Sequence, residues 1–138
     1  CPFVVRHYDS GNMPALQEKY TDQGVVWLSI VSSAPGKQGY FPPEEANQLT
    51  EEKGADPTAV LIDSSGTVGK AYGARTTPHM YVIDPEGVLV YQGAIDDQPR
   101  GRNPSEATNY VVEALEASMN GEEVEVASTR PYGCSVKY

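Results

Sequence analysis

The feature that most constrains the fold is an apolar run at residues 25–31, VVWLSIV. An apolar run of this length without polar alternation is typical of a strand that is buried on both faces in a parallel sheet. Residues 58–62, which follow Pro57, repeat the pattern after an intervening helical segment. Two buried strands separated by a helix predict an α/β architecture.

The other segments extend this α/β plan over the whole chain. We expect helices at residues 2–22, 44–53, 67–72 and 105–119, with a disturbance in the first near residues 10–12, and further strands at 80–83 and 88–91. A turn at residues 84–87 makes the last two strands an antiparallel hairpin. Residues 122–138 are predicted to be an extended tail. The expected fold is a single domain, residues 1–138, with a central mixed sheet flanked by helices.

Charge and hydropathy exclude several classes of protein. The chain has 10 Lys and Arg against 19 Asp and Glu, a formal charge of −9. This excess of acidic residues argues against non-specific binding to nucleic acid or to an anionic membrane. No apolar run reaches the roughly 18 residues of a membrane-spanning helix, so no membrane span is predicted. The loop at residues 34–39 has Gly and Lys without the spacing of a phosphate-binding loop, and we expect a surface loop that could border the site.

The chain has two cysteines, Cys1 and Cys134, and two histidines that lie far apart in sequence. Two cysteines exclude a disulfide framework, and with the scattered histidines they also exclude a four-ligand zinc site. Three alternatives stay open for the pair: two buried thiols, one structural disulfide, or a redox couple.

Cys1 directly precedes a helical segment that begins with Pro2, a residue suited to the first helical position. At that place the unpaired N–H groups and the helix dipole favour a thiolate, which predicts a nucleophile. The alternatives are an N-terminal nucleophile hydrolase, a lipidated cysteine and an inert buried thiol. Val4 stands where a dithiol CxxC motif has its second cysteine.

A second candidate for the site is Thr77-Pro78, just ahead of the predicted strand at residues 80–83. Proline cannot donate to a strand ladder, and a cis bond at this place would turn the backbone toward the start of the first helix. The alternative is an ordinary trans proline at a strand entry. His79 could tune the thiolate or shuttle a proton, or it could be a structural histidine.

Other polar residues are given no chemical role. We expect Asp96 and Asp97 to lie in a solvated loop, with Arg100 and Arg102 neutralising the surface beside them. His7 is six residues from Cys1 and off its helical face, so no role is assigned to it.

The chain is similar to the thioredoxin-like redoxin family, which includes the alkyl hydroperoxide reductase and thiol-specific antioxidant proteins, and more closely to a bacterial thioredoxin-family branch. The resemblance rests on six segments in the family's order: CPFVVRHY, VVWLSI, SSAPGKQGY, KAYGARTTPHMYVID, LVYQGAIDD and RPYGCSVKY. It implies a thioredoxin-like fold, with Cys1 at the position of the first active-site cysteine and Pro78 at that of the cis-proline. Two departures are Val4 in place of the second cysteine and Pro78 in place of the peroxiredoxin arginine, for which Arg75 is a possible substitute.

The resemblance implies a thiol:disulfide oxidoreductase or thiol-dependent reductase that needs no cofactor and no metal. Cys1 would be the nucleophile and Cys134 the resolving thiol, while Thr77, Pro78 and His79 would bind a protein or small-molecule disulfide or a peroxide, with a thiol as electron donor. The alternatives are a non-catalytic binding module with this fold, a Cys134 that only packs in the tail, and, more remotely, the hydrolase. Relatives carry a strand and often an export signal before this cysteine, which implies a truncated N-terminal part and favours an extracytoplasmic location over the cytoplasm. The missing strand would separate the strands at residues 25–31 and 80–83.

Overall fold

The computed structural model describes residues 1–101 and 106–138, which form an α/β arrangement of five helices and six strands. The helices are α1 (Pro2–Asp9), α2 (Asn12–Asp22), α3 (Pro43–Glu52), α4 (Thr67–Tyr72) and α5 (Tyr110–Met119). The strands are β1 (Leu28–Val31), β2 (Ala59–Ile62), β3 (Thr76–Thr77), β4 (Met80–Ile83), β5 (Leu89–Gly93) and β6 (Cys134–Ser135). None of these helices is long and apolar enough to cross a membrane. The predicted α/β class is confirmed.

The strands of the described residues form three separate two-stranded sheets. β1 pairs with β2 in parallel, β4 with β5 antiparallel, and β3 with β6 antiparallel. The predicted central mixed sheet is divided in this part of the chain, because no ladder joins β1 to β4. That separation agrees with the expectation that the two strands do not pair directly. The presence of another strand between them stays a prediction.

The first helical segment is broken where the sequence predicted a disturbance. Gly11 has a φ of 80° and is the N-cap of α2, which begins at Asn12. Pro14 falls in the first turn of α2, where its missing N–H leaves no intrahelical hydrogen bond unmade. The break gives α1, which begins next to Cys1, a direction separate from that of α2.

The prediction that residues 25–31 are buried on both faces is wrong. Only Leu28–Val31 is a strand, and the side chains of Leu28 and Ile30 are 48% and 41% exposed. Leu61 of the partner strand is also exposed. An apolar run shows only that both faces of a strand are able to be buried. Whether they are buried depends on which segments pack against the strand. No described residue covers the face that carries Leu28 and Ile30.

Side-chain hydrogen bonds move two predicted boundaries. Asp84 accepts hydrogen bonds from the N–H groups of Glu86 and Val88, both at 2.9 Å, so Val88 belongs to the turn and β5 starts one residue later. α5 begins at Tyr110 because the Asn109 side chain caps it, accepting from the N–H of Val112 at 3.0 Å. Ser105, the predicted cap, and Arg102 lie outside the described residues.

The core is formed by α2, α5 and the β4–β5 hairpin. Its buried residues are Met13, Leu16, Tyr20, Trp27, Val82, Tyr91, Ile95, Val111, Ala114 and Leu115. The predicted tail crosses this hairpin, where the N–H of Gln92 donates to the carbonyl of Ala127 and the N–H of Thr129 donates to the carbonyl of Gln92. The tail is thereby directed back toward α1 and β3.

Candidate thiol site

Cys1 and Cys134 are joined by a disulfide that links positions 133 residues apart, with a Cα–Cα distance of 6.1 Å. Cys1 is the N-cap residue of α1 and Pro2 is the first helical residue, as the sequence predicted. Cys134 lies in β6, and both cysteines are half-buried. The predicted pairing of the two cysteines is confirmed, and neither is a free thiol in this state.

The Thr77–Pro78 peptide bond is cis, as predicted. This bond lies next to the disulfide: the carbonyl oxygen of Thr77 is 3.5 Å from the sulfur of Cys1. A disulfide sulfur carries no hydrogen, so the contact becomes an S–H···O hydrogen bond only when Cys1 is a thiol. The first cysteine and the proline-containing turn therefore form one site.

Cys134 reaches the site as part of an added strand. In the β3–β6 ladder Thr77 is opposite Cys134 and Thr76 is opposite Ser135. Beyond the ladder the N–H of Val136 donates to the carbonyl of Arg75 at 3.1 Å. The N–H of Ala34 donates to the carbonyl of Lys137 at 2.7 Å, so the predicted surface loop at residues 34–39 does border the tail.

Gly133 permits the close approach of the tail to β3. Its φ is 148°, a backbone conformation that other L-residues rarely adopt. A Cβ at this position would collide with the carbonyl oxygen of Thr77 and lie 3.2 Å from Cδ of Pro78. Only glycine allows both contacts, so this residue determines how near Cys134 comes to the cis bond.

A polar group, which we call the tail-anchor cluster, consists of the buried His7 and Asp96 and the half-buried Arg6 and Tyr132. The Tyr132 hydroxyl donates to Oδ1 of Asp96 at 2.5 Å and lies 3.0 Å from Nε2 of His7. Nη2 of Arg6 donates to the same hydroxyl at 3.2 Å. The exposed fractions of His7 and Asp96 are 0% and 1%. The cluster joins α1, the segment after β5 and the tail.

Burial determines the protonation of the cluster. It lowers the pKa of His7, an effect that the Arg6 charge adds to and the Asp96 charge opposes. Burial, together with the hydrogen bond to Asp96 and its charge, raises the pKa of Tyr132 well above its usual range. At neutral pH the imidazole is therefore neutral and the phenol keeps its proton.

The prediction that Asp96 lies in a solvated loop is wrong. Asp96 is buried and shares one hydrogen-bond network with His7, a residue to which the sequence assigns no chemical role. Asp97 and Arg100 are exposed, as expected. The available signal was Ile95, which is buried and directly precedes Asp96, because an apolar residue ahead of an acidic pair indicates that the chain is entering the core.

His79 lies with Arg75 and Tyr81. Its Nδ1 accepts a hydrogen bond from the N–H of Arg75 at 3.2 Å, and its ring stacks on that of Tyr81 with centroids 4.7 Å apart. Burial lowers the pKa of His79, and the charge of Arg75 lowers it further. No hydrogen bond of the described residues connects His79 to either sulfur, so its role in proton transfer stays a prediction.

Within residues 1–101 and 106–138, no three His, Cys, Asp or Glu side chains converge to form a metal site. Acidic side chains line a groove between α5 and residues 122–126, including those of Glu113, Glu116 and Glu123. They do not form such a cluster.

Comparison with known proteins finds solved structures of similar fold. No protein-family model and no curated protein matches it. The structure of an uncharacterized conserved protein from Geobacillus kaustophilus is similar to this chain, with 32% identity and a TM-score of 0.86. The similarity covers 100% of this chain and 71% of the Geobacillus chain. This chain belongs to the same family. A hypothetical protein from Sinorhizobium meliloti 1021 is similar over 100% of this chain and 74% of its own, at 28% identity and a TM-score of 0.84. The Geobacillus family therefore shares the arrangement of helices and strands described above.

Proposed function

We propose that the protein is a thiol:disulfide oxidoreductase with a thioredoxin-like fold, in which Cys1 is the nucleophile and Cys134 the resolving thiol. The observation that carries the proposal is the disulfide between these cysteines, placed at the start of α1 and against the cis Thr77–Pro78 bond. The resemblance of the sequence to the redoxin family supports the same assignment. Pro78 and Thr77 would dock the substrate.

The position of Cys1 suits a nucleophile. The N–H groups of the first helical turn, including those of Phe3 and Val4, have no intrahelical acceptor, and they point toward the N-cap residue. The positive end of the helix dipole adds to their effect. Both favour the thiolate of reduced Cys1 over its thiol, and the thiolate is the reactive form.

The proposed reaction is thiol–disulfide exchange in two steps. The Cys1 thiolate attacks one sulfur of a substrate disulfide, forms a mixed disulfide and releases the other sulfur as a thiolate. The Cys134 thiolate then attacks the Cys1 sulfur, forming the internal disulfide and releasing the second substrate thiolate. The substrate gains two electrons and the protein loses two, which a thiol donor restores by reducing the internal disulfide.

A peroxide is the second possible oxidant. Attack of the Cys1 thiolate on one peroxide oxygen would break the O–O bond, release the other oxygen as water or an alcohol, and leave a sulfenic acid on Cys1. Condensation of this sulfenic acid with the Cys134 thiol would give the same disulfide and one water. Disulfide reduction is the primary proposal because Pro78 stands where peroxiredoxins have an arginine. The possible substitute, Arg75, is exposed.

The test measures turnover of a small aromatic disulfide with a dithiol donor. Cys1→Ser should abolish turnover, and Cys134→Ser should accumulate the mixed disulfide on Cys1, detected by intact mass. Ser135→Ala, a substitution next to Cys134 that leaves both sulfurs in place, is the control and should turn over like the wild type. A wild-type protein that neither turns over disulfide or peroxide nor forms a mixed disulfide would contradict the proposal and favour the non-catalytic binding module.

A further inference from the structure

We infer that Tyr132 is a positioning residue: held by the buried Asp96 and His7, it keeps Cys134 next to Cys1 after the disulfide opens. This inference rests on the proposed function, because it concerns how the resolving thiol finds its partner. The structural basis is the tail-anchor cluster. Its Tyr132 is two residues before Cys134, and its Arg6 and His7 belong to α1, the helix that Cys1 precedes.

The hydrogen bonds from Asn12 through His7 and Tyr132 to Asp96 form a series in which each group donates to the next. Nδ2 of Asn12 donates to Nδ1 of His7 at 3.0 Å, which assigns the ring proton of the neutral imidazole to Nε2. Nη2 of Arg6 lies 3.3 Å from Nε2, but its two hydrogens are donated to the Tyr132 oxygen and the Gln98 carbonyl. Nε2 then donates to the Tyr132 oxygen, and the Tyr132 hydroxyl donates to Asp96. Every polar hydrogen in the series points toward the buried carboxylate, which gives the Tyr132 hydroxyl a single orientation.

The same cluster fixes the tail against the helix that begins next to Cys1. The ring of Tyr132 packs on that of Phe3, with centroids 5.9 Å apart, and lies under the guanidinium of Arg6. Nη1 of Arg6 donates to the carbonyl of Pro99 at 2.8 Å, and its Nη2 donates to that of Gln98 at 3.1 Å. These contacts hold the tail to α1, and α1 to the segment that follows β5, independently of the disulfide.

The polar residues of the cluster are better suited to orienting Tyr132 than to stabilising the fold alone. Oδ2 of Asp96 is buried, has no hydrogen-bond partner among residues 1–101 and 106–138, and lies 3.9 Å from Nε2 of His7. An unpaired buried carboxylate oxygen is costly, and an apolar contact would hold a tail without that cost. What the carboxylate adds is a strong, directional acceptor for one hydroxyl, which fixes where Tyr132 lies.

The tail-anchor cluster affects the position of the tail most when both cysteines are reduced. Without the covalent link, the tail is held at Cys1 by the anchor, by the two-residue β3–β6 ladder and by the contacts of the last residues, and so short a ladder is marginal alone. The apparent equilibrium constant for closing the disulfide is proportional to the fraction of reduced molecules whose tail is docked. An anchor that keeps the tail docked therefore raises the effective concentration of Cys134.

The experiment equilibrates the protein with mixtures of reduced and oxidised glutathione and measures the fraction of Cys1–Cys134 disulfide after acid quench and alkylation. Two protein thiols plus one oxidised glutathione give the internal disulfide plus two reduced glutathiones, so the ratio gives the effective concentration directly. In Tyr132→Phe the ring contact with Phe3 is kept and the hydroxyl is lost. We expect the effective concentration to fall about tenfold, and resolution of the mixed disulfide to slow correspondingly.

Tyr20→Phe is the matched control. Tyr20 is fully buried, and like the hydroxyl of the half-buried Tyr132 its hydroxyl donates to a carboxylate, Oε1 of Glu116 at 2.8 Å, away from the tail. This variant should lose stability without changing the glutathione equilibrium. An equal change in both variants, or none in Tyr132→Phe, would overturn the positioning role while the proposed function stands. A wild-type disulfide that does not exchange with glutathione at any ratio would overturn both.

Discussion

At the scale of single residues, the burial of His7 links stability to pH. In the unfolded chain a histidine titrates near pH 6.5. In the folded protein burial lowers the pKa of His7, the Arg6 charge lowers it further, and the opposing Asp96 charge does not reverse this. Between the two pKa values the unfolded state binds a proton that the folded state does not. The contribution of His7 to stability is therefore complete above about pH 6.5 and declines as the pH falls below it.

We predict that the free energy of unfolding decreases between about pH 8 and about pH 5.5, by at most about 1.4 kcal/mol per pH unit for each such histidine. Urea denaturation at both pH values measures it, and His7→Gln should remove its share of the difference whatever its effect on overall stability. His79→Gln should remove another share, because the pKa of His79 is also lowered. The pKa of Asp63 is lowered as well, but that carboxylate loses its contribution only in more acidic solution. A pH difference in His7→Gln equal to that of the wild type would show that His7 takes up no proton on unfolding.

At the scale of secondary-structure elements, the β3–β6 ladder depends on one glycine. Gly133 has a positive φ, and a Cβ there would meet the backbone of Thr77. Gly121, at the end of α5, has a φ of 68° and open space around it. Both glycines have a positive φ, but only Gly133 also lies against a neighbouring backbone.

We predict that Gly121→Ala lowers the free energy of unfolding by about 1 kcal/mol, because of its positive φ alone. Gly133→Ala should cost about 1–3 kcal/mol more, because the tail must move away from β3. The same variant should form less Cys1–Cys134 disulfide at a given glutathione ratio, whereas Gly121→Ala should form as much as the wild type. Equal losses of stability in the two variants would mean that β3 and β6 do not need to approach so closely.

At the scale of the whole molecule, the disulfide closes nearly the entire chain, since its cysteines are 133 residues apart. Closing a loop of this length reduces the entropy of the unfolded state by an amount worth roughly 5 kcal/mol on the chain-entropy model, as an upper figure. The oxidised protein should therefore be more stable than the reduced protein by up to this amount.

Guanidinium denaturation of the oxidised and reduced wild type measures the difference. Cys1→Ser and Cys134→Ser should each denature like the reduced wild type under all redox conditions, because either substitution removes the same loop. If Cys134→Ser were instead as stable as the oxidised wild type, the disulfide would contribute nothing to stability.

Local chemistry in the sequence was enough for much of the fold and for the centre of the candidate site. The bounds of α4 and β4 agree with the prediction, since Gly73 ends the helix and the turn at Asp84 ends the strand. The break between α1 and α2, the cis bond before Pro78 and the pairing of the two cysteines also followed from residue types and from the resemblance. In each case the signal lies in a few adjacent residues, or in there being only two cysteines.

Only the tertiary structure decided which surfaces are buried and which polar groups meet. The exposed faces of Leu28 and Ile30, and the division of the predicted sheet, depend on what lies beside each strand. The burial of His7 and Asp96 depends on the tail, which brings Tyr132 to them from 125 and 36 positions away in sequence, respectively. Periodicity and turn chemistry act over a few residues, whereas burial is a property of contacts between distant segments, and a single sequence does not specify those contacts.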